Sequence, residues 1–407
     1  MKKLFLATFL LLLSLISVTN GQGITNPSAL ATLTDINNLQ PPSTAIGAFQ
    51  AKMQSAVNDG ATVKELDAMV QQFTQSMAAA SYAQTATANT QILQLVGSQL
   101  MIPWKKNQLI RAQNSLQSTA FPYASRLSSS YASKSTGWFQ ATGYTGEQEM
   151  KDSFAAYDFR GWGFALGIDR SFGNTLVGLA YGNTDNHLKS QKWLGTPNPS
   201  DVNTLTHTFL TYGITRLGPR AFIAGKLGMT LAEMDGSRIP SANYSANWAT
   251  SAQTLFLQST LGCLLVQSKR FSLAPKARFS YFNYDQAEYD EQWSDATTQH
   301  VAGWQDGYCE LDFLIDYCFV VSGSLNFTGS FGLREVIGAE GAVLSTDTAG
   351  MNYEVRGVAP SSEVFVVDFG LDLALSERMT LVTEYNMRAG SGGSNLHSGT
   401  GTLLLNF

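Results

Sequence analysis

Charge, cysteine and long apolar runs are all scarce in this chain, and each shortage closes off a class of protein. Charged side chains make up only 14% of the 407 residues, with 26 basic against 31 acidic and a formal net charge of −5. The largest basic cluster is Lys105, Lys106 and Arg111, far short of the basic face that nucleic acid requires. Three cysteines, Cys263, Cys309 and Cys318, are an odd number and exclude a full disulfide framework. Mean hydropathy is −0.05, and only the extreme N-terminus carries a long apolar run, which excludes a bundle of transmembrane helices. Disorder is excluded from the other side, because 44% hydrophobic and 11% aromatic residues leave ample apolar surface to bury. Few charges combined with 36 glycines suit a sheet protein whose outer face meets no water.

Residues 1–21 read as a signal peptide. Lys2 and Lys3 are a basic start, residues 4–18 are an apolar core of signal-peptide length, and Thr19-Asn20-Gly21 supplies small residues ahead of cleavage before Gln22. The apolar run is short for crossing ~30 Å of hydrocarbon. No cysteine follows it to carry a lipid. Loss of the two lysines takes the net charge from −5 to −7.

Two regimes follow. Residues 22–135 are rich in Gln, Ala, Ser and Thr with a mainly helical period: Val63, Leu66, Val70, Phe73 and Met77 recur every three or four positions. The stripe resumes at Ile92, Leu95 and Leu100, and Pro103 interrupts it. It reads as a helix packed on a neighbour or, alternatively, as a self-associating helix or surface helical hairpin. From 136 to 407 the pattern switches to period two. Trp162, Phe164, Leu166 and Ile168 share one face against Gly161, Gly163, Ala165, Gly167 and Asp169. Leu311, Phe313, Ile315, Tyr317 and Phe319 oppose Glu310, Asp312, Leu314 and Asp316. Phe365, Val367, Phe369, Leu371, Leu373 and Leu375 oppose Val366, Asp368, Gly370, Asp372 and Ala374.

Alternation alone does not separate a soluble sandwich from a membrane barrel, but length and loop rhythm do. Twelve alternating segments lie between about 137 and 407, most longer than the ~5–6 residues of a soluble strand and matching the ~9–11 of a tilted membrane strand. Short turns at 172–174, 217–219, 268–270, 321–323 and 376–378 alternate with long loops at 146–159, 188–203, 233–251, 286–305 and 338–362, and with a shorter one at 390–394. That rhythm predicts an all-β transmembrane barrel of 12 antiparallel strands in a bacterial outer membrane, short turns periplasmic and long loops extracellular. It is expected to be a monomer bathed in outer-membrane lipid. Trp193, Trp248, Trp293 and Trp304 all fall in the long loops. Leu403, Leu405 and Phe407 share one face of the last strand, a terminal pattern similar to the signal read by the outer-membrane barrel assembly machinery.

Catalytic sets are missing from the pattern. The histidines His187, His207, His300 and His397 are scattered, and neither a metal motif nor a Gly-x-Ser-x-Gly elbow occurs. No enzyme activity, cofactor or metal is expected. Asn37-Asn38 is far from the first strand, and Asn107 and Asn114 are unpaired, so self-cleavage is not expected either.

Several segments in order carry a family resemblance. Ser125-Arg126-Leu127-Ser128-Ser129 leads into Gly137-Trp138-Phe139-Gln140-Ala141-Thr142-Gly143-Tyr144, followed by Gly161 to Asp169, a short turn, and Val177-Gly178-Leu179-Ala180-Tyr181-Gly182. Leu273-Ala274-Pro275 opens a middle strand and Phe407 closes the chain. Over residues 125 to 407, about 70% of the chain, this order resembles an autotransporter β-domain of type V secretion. The resemblance implies a barrel anchored in the outer membrane, a linker helix in its pore, and an N-terminal passenger at the surface. The passenger departs from the family, for residues 22–135 show no solenoid repeat. Alternation turns Lys226, Lys276, Arg278, Asp312, Asp316, Arg334, Asp368, Asp372 and Glu384 toward the lumen. They either grip a pore helix, through partners such as Lys105, Lys106 and Arg111, or pair among themselves. Gly161, Gly163, Gly167, Gly178 and Gly182 leave one lumen wall nearly bare, with room for a helix. A passive pore with the N-terminal segment as plug or periplasmic arm is the alternative to display.

Overall fold

Strands of alternating sequence with Gly-rich turns between them can close on themselves, and here they do. The structure, a computed structural model, describes residues 135–407 apart from 150–155, 173–174, 191–199, 218–219, 242–243, 269, 340–342, 349–350, 357–360 and 377. The signal peptide, the helical region with Lys105, Lys106 and Arg111, and Trp193 lie outside the described residues. The strands are β1 (Ser135–Gln148), β2 (Tyr157–Phe172), β3 (Thr175–Ser190), β4 (Ser200–Arg216), β5 (Ala221–Ser241), β6 (Tyr244–Cys263), β7 (Val266–Gln267), β8 (Phe271–Gln286) and β9 (Tyr289–Trp293). They continue as β10 (Thr298–Val301), β11 (Trp304–Val320), β12 (Leu325–Ile337), β13 (Val343–Thr348), β14 (Met351–Arg356), β15 (Glu363–Ala374), β16 (Met379–Gly390) and β17 (Ser394–Asn406).

Twelve of these, β1–β6, β8, β11, β12 and β15–β17, pair antiparallel in a ring. The ring closes where β1 meets β17, in register from Thr136↔Asn406 to Gln148↔Ser394. Closure leaves no open edge, so lipid meets no unpaired backbone. Side chains confirm which face meets it. Trp162 is 62% exposed and Phe369 45%, whereas Gln140, Thr206 and Asp312, on the other face, are each 0% exposed. Polar groups are buried on the inner face, together with an apolar cluster that includes Phe222, Phe256 and Phe282, while the outer face exposes large apolar side chains as no soluble sandwich does. All three period-two segments of the sequence keep the faces read from them, with Cys309 outward and Cys318 buried inward on β11, and the three cysteines are free.

The loop-side ends depart from expectation. Segments 233–251, 286–305 and 338–362 were expected as loops, but β5 and β6 run through the first, β9 and β10 lie in the second, and β13 and β14 in the third. β5 has 21 residues and β6 has 20, about twice the ~9–11 that hydrocarbon requires. Above the membrane the outward face meets water in place of lipid and turns polar, so the belt's hydropathy pattern ends while the backbone ladder continues. Trp248, Trp293 and Trp304 therefore lie on strands, not in loops, the first two buried. Ala246 pairs with Trp293, and His300 with Asp347, which joins β6, β9, β10 and β13 into a wall above the rim. Inside it Arg238 forms a two-pronged ion pair with Glu291 and lies 4.8 Å from the centre of the Trp293 ring.

Candidate functional site

The lumen is where the inward-facing polar residues converge, and it divides into three sectors. The first is charged and spans β8, β11 and β12. Antiparallel register sets Asp312 directly opposite Arg278 on one side and Arg334 on the other. Arg334 Nε donates to Asp312 Oδ1 at 2.7 Å, and Arg278 Nε donates to Asp312 Oδ2. Arg334 also reaches Glu310 at 3.0 Å, and Lys276 Nζ reaches Asp316 at 2.7 Å. Lys226 on β5 is buried within electrostatic reach of Arg278, Lys276 and Asp312. Desolvating such charges is offset only where each finds partners, and cross-strand neighbours supply them.

Of the nine lumen residues named from sequence, Lys226, Lys276, Arg278, Asp312, Asp316 and Arg334 lie in this sector. Asp368 on β15 accepts a hydrogen bond from Ser330 Oγ. Asp372 and Glu384 also face inward, on β15 and β16. Sequence reading left Glu310 and Arg388 out of the lumen charges. Glu310 sits on the same face as Asp312, two residues away, so alternation was a sufficient signal. Arg388 lies at the loop-side end of β16, where the hydropathy pattern fades.

The second sector, β1–β4, was expected to be bare and is not. Trp138 stands directly across from Gly167, Tyr144 across from Gly161, and Tyr212 across from Gly178. A Cβ added at Gly167 would run into the Trp138 ring, and one at Gly178 into the Tyr212 ring. Lacking side chains, the glycines let each ring lie down over the neighbouring strand instead of opening a path. Trp138 Nε1 consequently donates to Tyr212 Oη at 2.8 Å, and Tyr212 Oη donates to Asp169 at 3.1 Å, a tie that joins β1, β2 and β4.

The third sector is the arc β15–β16–β17–β1. Here buried polar atoms have no hydrogen-bond partner among the described residues: Asp368 Oδ1, Arg388 Nε and Nη2, Ser398 Oγ, and both amide atoms of Gln140; outside the arc, Gln258 Oε1 on β6 is in the same state. The described residues contain no cluster of three or more metal-ligating side chains. They contain no helix long and apolar enough to cross a membrane, which leaves a strand barrel untouched.

Comparison with known proteins agrees with this geometry. The translocator domain of the autotransporter NalP from Neisseria meningitidis superposes with a TM-score of 0.58 at 15% identity, covering 81% of this chain and 99% of that one. The transport unit of the autotransporter AIDA-I from Escherichia coli gives 0.50 at 10% identity, covering 74% and 97%. At such identities the likeness is one of fold. No curated protein matches the sequence. A family model described as the autotransporter beta-domain matches residues 137–386, and barrels of this family belong to the bacterial outer membrane, as the exposed apolar belt requires. With more than half of its length matched and a closed twelve-stranded ring turned apolar side out, the chain belongs to the autotransporter beta-domain family.

Proposed function

We propose that this barrel is an outer-membrane translocator that carries and displays its own short N-terminal segment, residues 22–135, through the lumen. One observation supports it above the rest. The arc β15–β1 presents buried polar atoms without hydrogen-bond partners among the described residues, and a buried unpaired donor or acceptor costs ~1–3 kcal/mol. A chain threaded through the lumen would satisfy them. Its cations Lys105, Lys106 and Arg111 would meet the acidic groups Asp368, Asp372 and Glu384 of that wall. The charged sector around Asp312 is satisfied within the barrel and plays the part of a rigid brace. The role is anchoring and transport, not catalysis. In this reading the long connections are extracellular, and the assembly machinery takes up the chain through Leu403, Leu405 and Phe407.

Protease shaving of intact cells tests display: loss of the N-terminal segment supports it, and full protection sinks it in favour of a plug or a periplasmic arm. Planar-bilayer conductance of the mature chain and of a form lacking residues 22–125 tests the lumen. Higher conductance in the truncated form is expected. Equal conductance refutes a threaded segment.

A further inference from the structure

The outward face carries a furrow at the seam where the ring closes. Its floor is two strands wide. Gly143 and Ala141 of β1 face outward beside Gly399 and Gly401 of β17, and β1 pairs with β17 throughout. Open space lies where a Cβ would stand on Gly399 and on Gly401, and a Cβ on Gly143 would meet nothing nearer than 4.0 Å. Trp162 of β2 walls one side and Tyr385 of β16 the other, with Phe139 and Leu403 standing outward below. The upper part is a cavity of about 860 Å³ lined also by Arg160, Asp185, His187, Asn203 and His397. His397 is held by Tyr385 at 2.7 Å and His187 by Asn203 at 2.9 Å. Arg160 takes part in no ion pair among the described residues, and its exposed side chain sits beside His187, one row above Trp162, in whose row outward charge begins with Asp185.

We infer that this furrow is a binding site for one phosphate-bearing lipid of the outer leaflet, acyl chain on the glycine floor and phosphate against Arg160. The solvent of this face is hydrocarbon, so a groove in it fills with an acyl chain. The row at which a headgroup must emerge is the row that offers an unpaired guanidinium, a group suited to phosphate. Asp185, the one carboxylate lining the cavity, lies one row below, on β3. The leaflet rests on the orientation proposed above, with the long connections outside.

The test uses the full mature chain in detergent, titrated with phosphatidylglycerol or with a phosphate-free galactosyl diacylglycerol of the same acyl chains, bound lipid being read by native mass spectrometry. Wild type is expected to retain one phosphatidylglycerol in preference to the galactolipid by roughly tenfold, the value of one charge-assisted hydrogen bond. R160Q should abolish the preference while acyl binding persists. Gly143→Leu with Gly399→Leu should displace both lipids, and the single Gly399→Leu, which enters open space, serves if the pair fails to fold. Equal retention of the two lipids by wild type, or retention unchanged when the furrow is filled, overturns the site. So does a dimer that disappears on filling, since the occupant is then a second copy. Surface labelling of the long connections separates the two readings: lipid retained with those connections facing the periplasm overturns the leaflet and the orientation, but not lipid recognition.

Discussion

Asp312→Asn puts the electrostatics of the lumen to a quantitative test. Asp312 is 0% exposed and accepts hydrogen bonds from two guanidiniums, Arg278 and Arg334. The substitution keeps the volume and removes the charge. Arg334 retains Glu310 at 3.0 Å, but Arg278 has no second carboxylate in an ion pair among the described residues. Breaking a buried pair by deleting one partner costs ~3–5 kcal/mol, chiefly because a charge is left buried and unpaired. A water-bathed pair is worth only ~0–1 kcal/mol. The two outcomes are far enough apart to measure. Protein refolded into phosphatidylcholine vesicles would be unfolded in guanidinium chloride and followed by tryptophan fluorescence, with Arg278→Met and the double variant completing a cycle. We expect a loss of ~3–5 kcal/mol for Asp312→Asn and most of it restored when Arg278 is also replaced. A loss under ~1 kcal/mol with no coupling would refute the reasoning, because the cluster would then be wet and the brace nominal.

Three further perturbations follow from the geometry. Phe331→Arg places a charge near the middle of the outward belt and should destabilise the barrel by ~2–4 kcal/mol in vesicles; a cost near zero would show that this face does not meet hydrocarbon. Gly167→Leu drives a side chain into the Trp138 ring, so the yield of heat-modifiable folded barrel should fall, and it should recover partly with Trp138→Ala, which vacates the space. Cys309 is outward and partly exposed while Cys318 is buried on the lumen side; a membrane-soluble maleimide should therefore label Cys309 in the folded protein and leave Cys318 unmodified. Labelling of both at equal rates would contradict the assignment of faces.

Within the apolar belt the fold was legible from sequence, since there alternation is enforced by two different solvents on the two faces. On β11, Phe313 must meet lipid and Asp312 must not, so period two survives along the outward face and Glu310 could have been read with the rest. Above the belt that constraint lapses. In β5 the acidic Glu233 and Asp235 turn outward and Met234 inward, the reverse of the belt's pattern, and the wall built from β5, β6, β9, β10 and β13 therefore reads as loops in the sequence. The pairing of rings with glycines was hidden for another reason. Gly167 and Gly178 look like vacancies in one strand at a time, and only cross-strand register, which no local pattern contains, brings Trp138 and Tyr212 onto them.

The distribution of side-chain ties around the lumen bears on how the ring stays closed. The charged cluster braces β8 to β12, and the Trp138–Tyr212–Asp169 tie joins β1 to β4. Between them the arc β15–β1, which contains the seam, joins its backbone ladder with side-chain hydrogen bonds but no ion pair among the described residues: Thr136 donates to Asn406 at 3.2 Å, Tyr385 meets His397 at 2.7 Å, and Phe407 N donates to Ser135 O at 3.0 Å at its foot. The unpartnered atoms of Asp368, Arg388, Ser398 and Gln140 lie on that same arc. A segment threaded through the lumen would touch all four strands of the arc at once and so staple the seam from inside. Transport and barrel stability are then coupled. Removal of residues 22–125 should cost about 2–9 kcal/mol, two or three buried partners at ~1–3 kcal/mol each, and Arg388→Leu should recover part of it in the truncated barrel only. If full-length and truncated forms unfold at the same denaturant concentration, no such staple exists, and the arc's polar atoms are met by water alone.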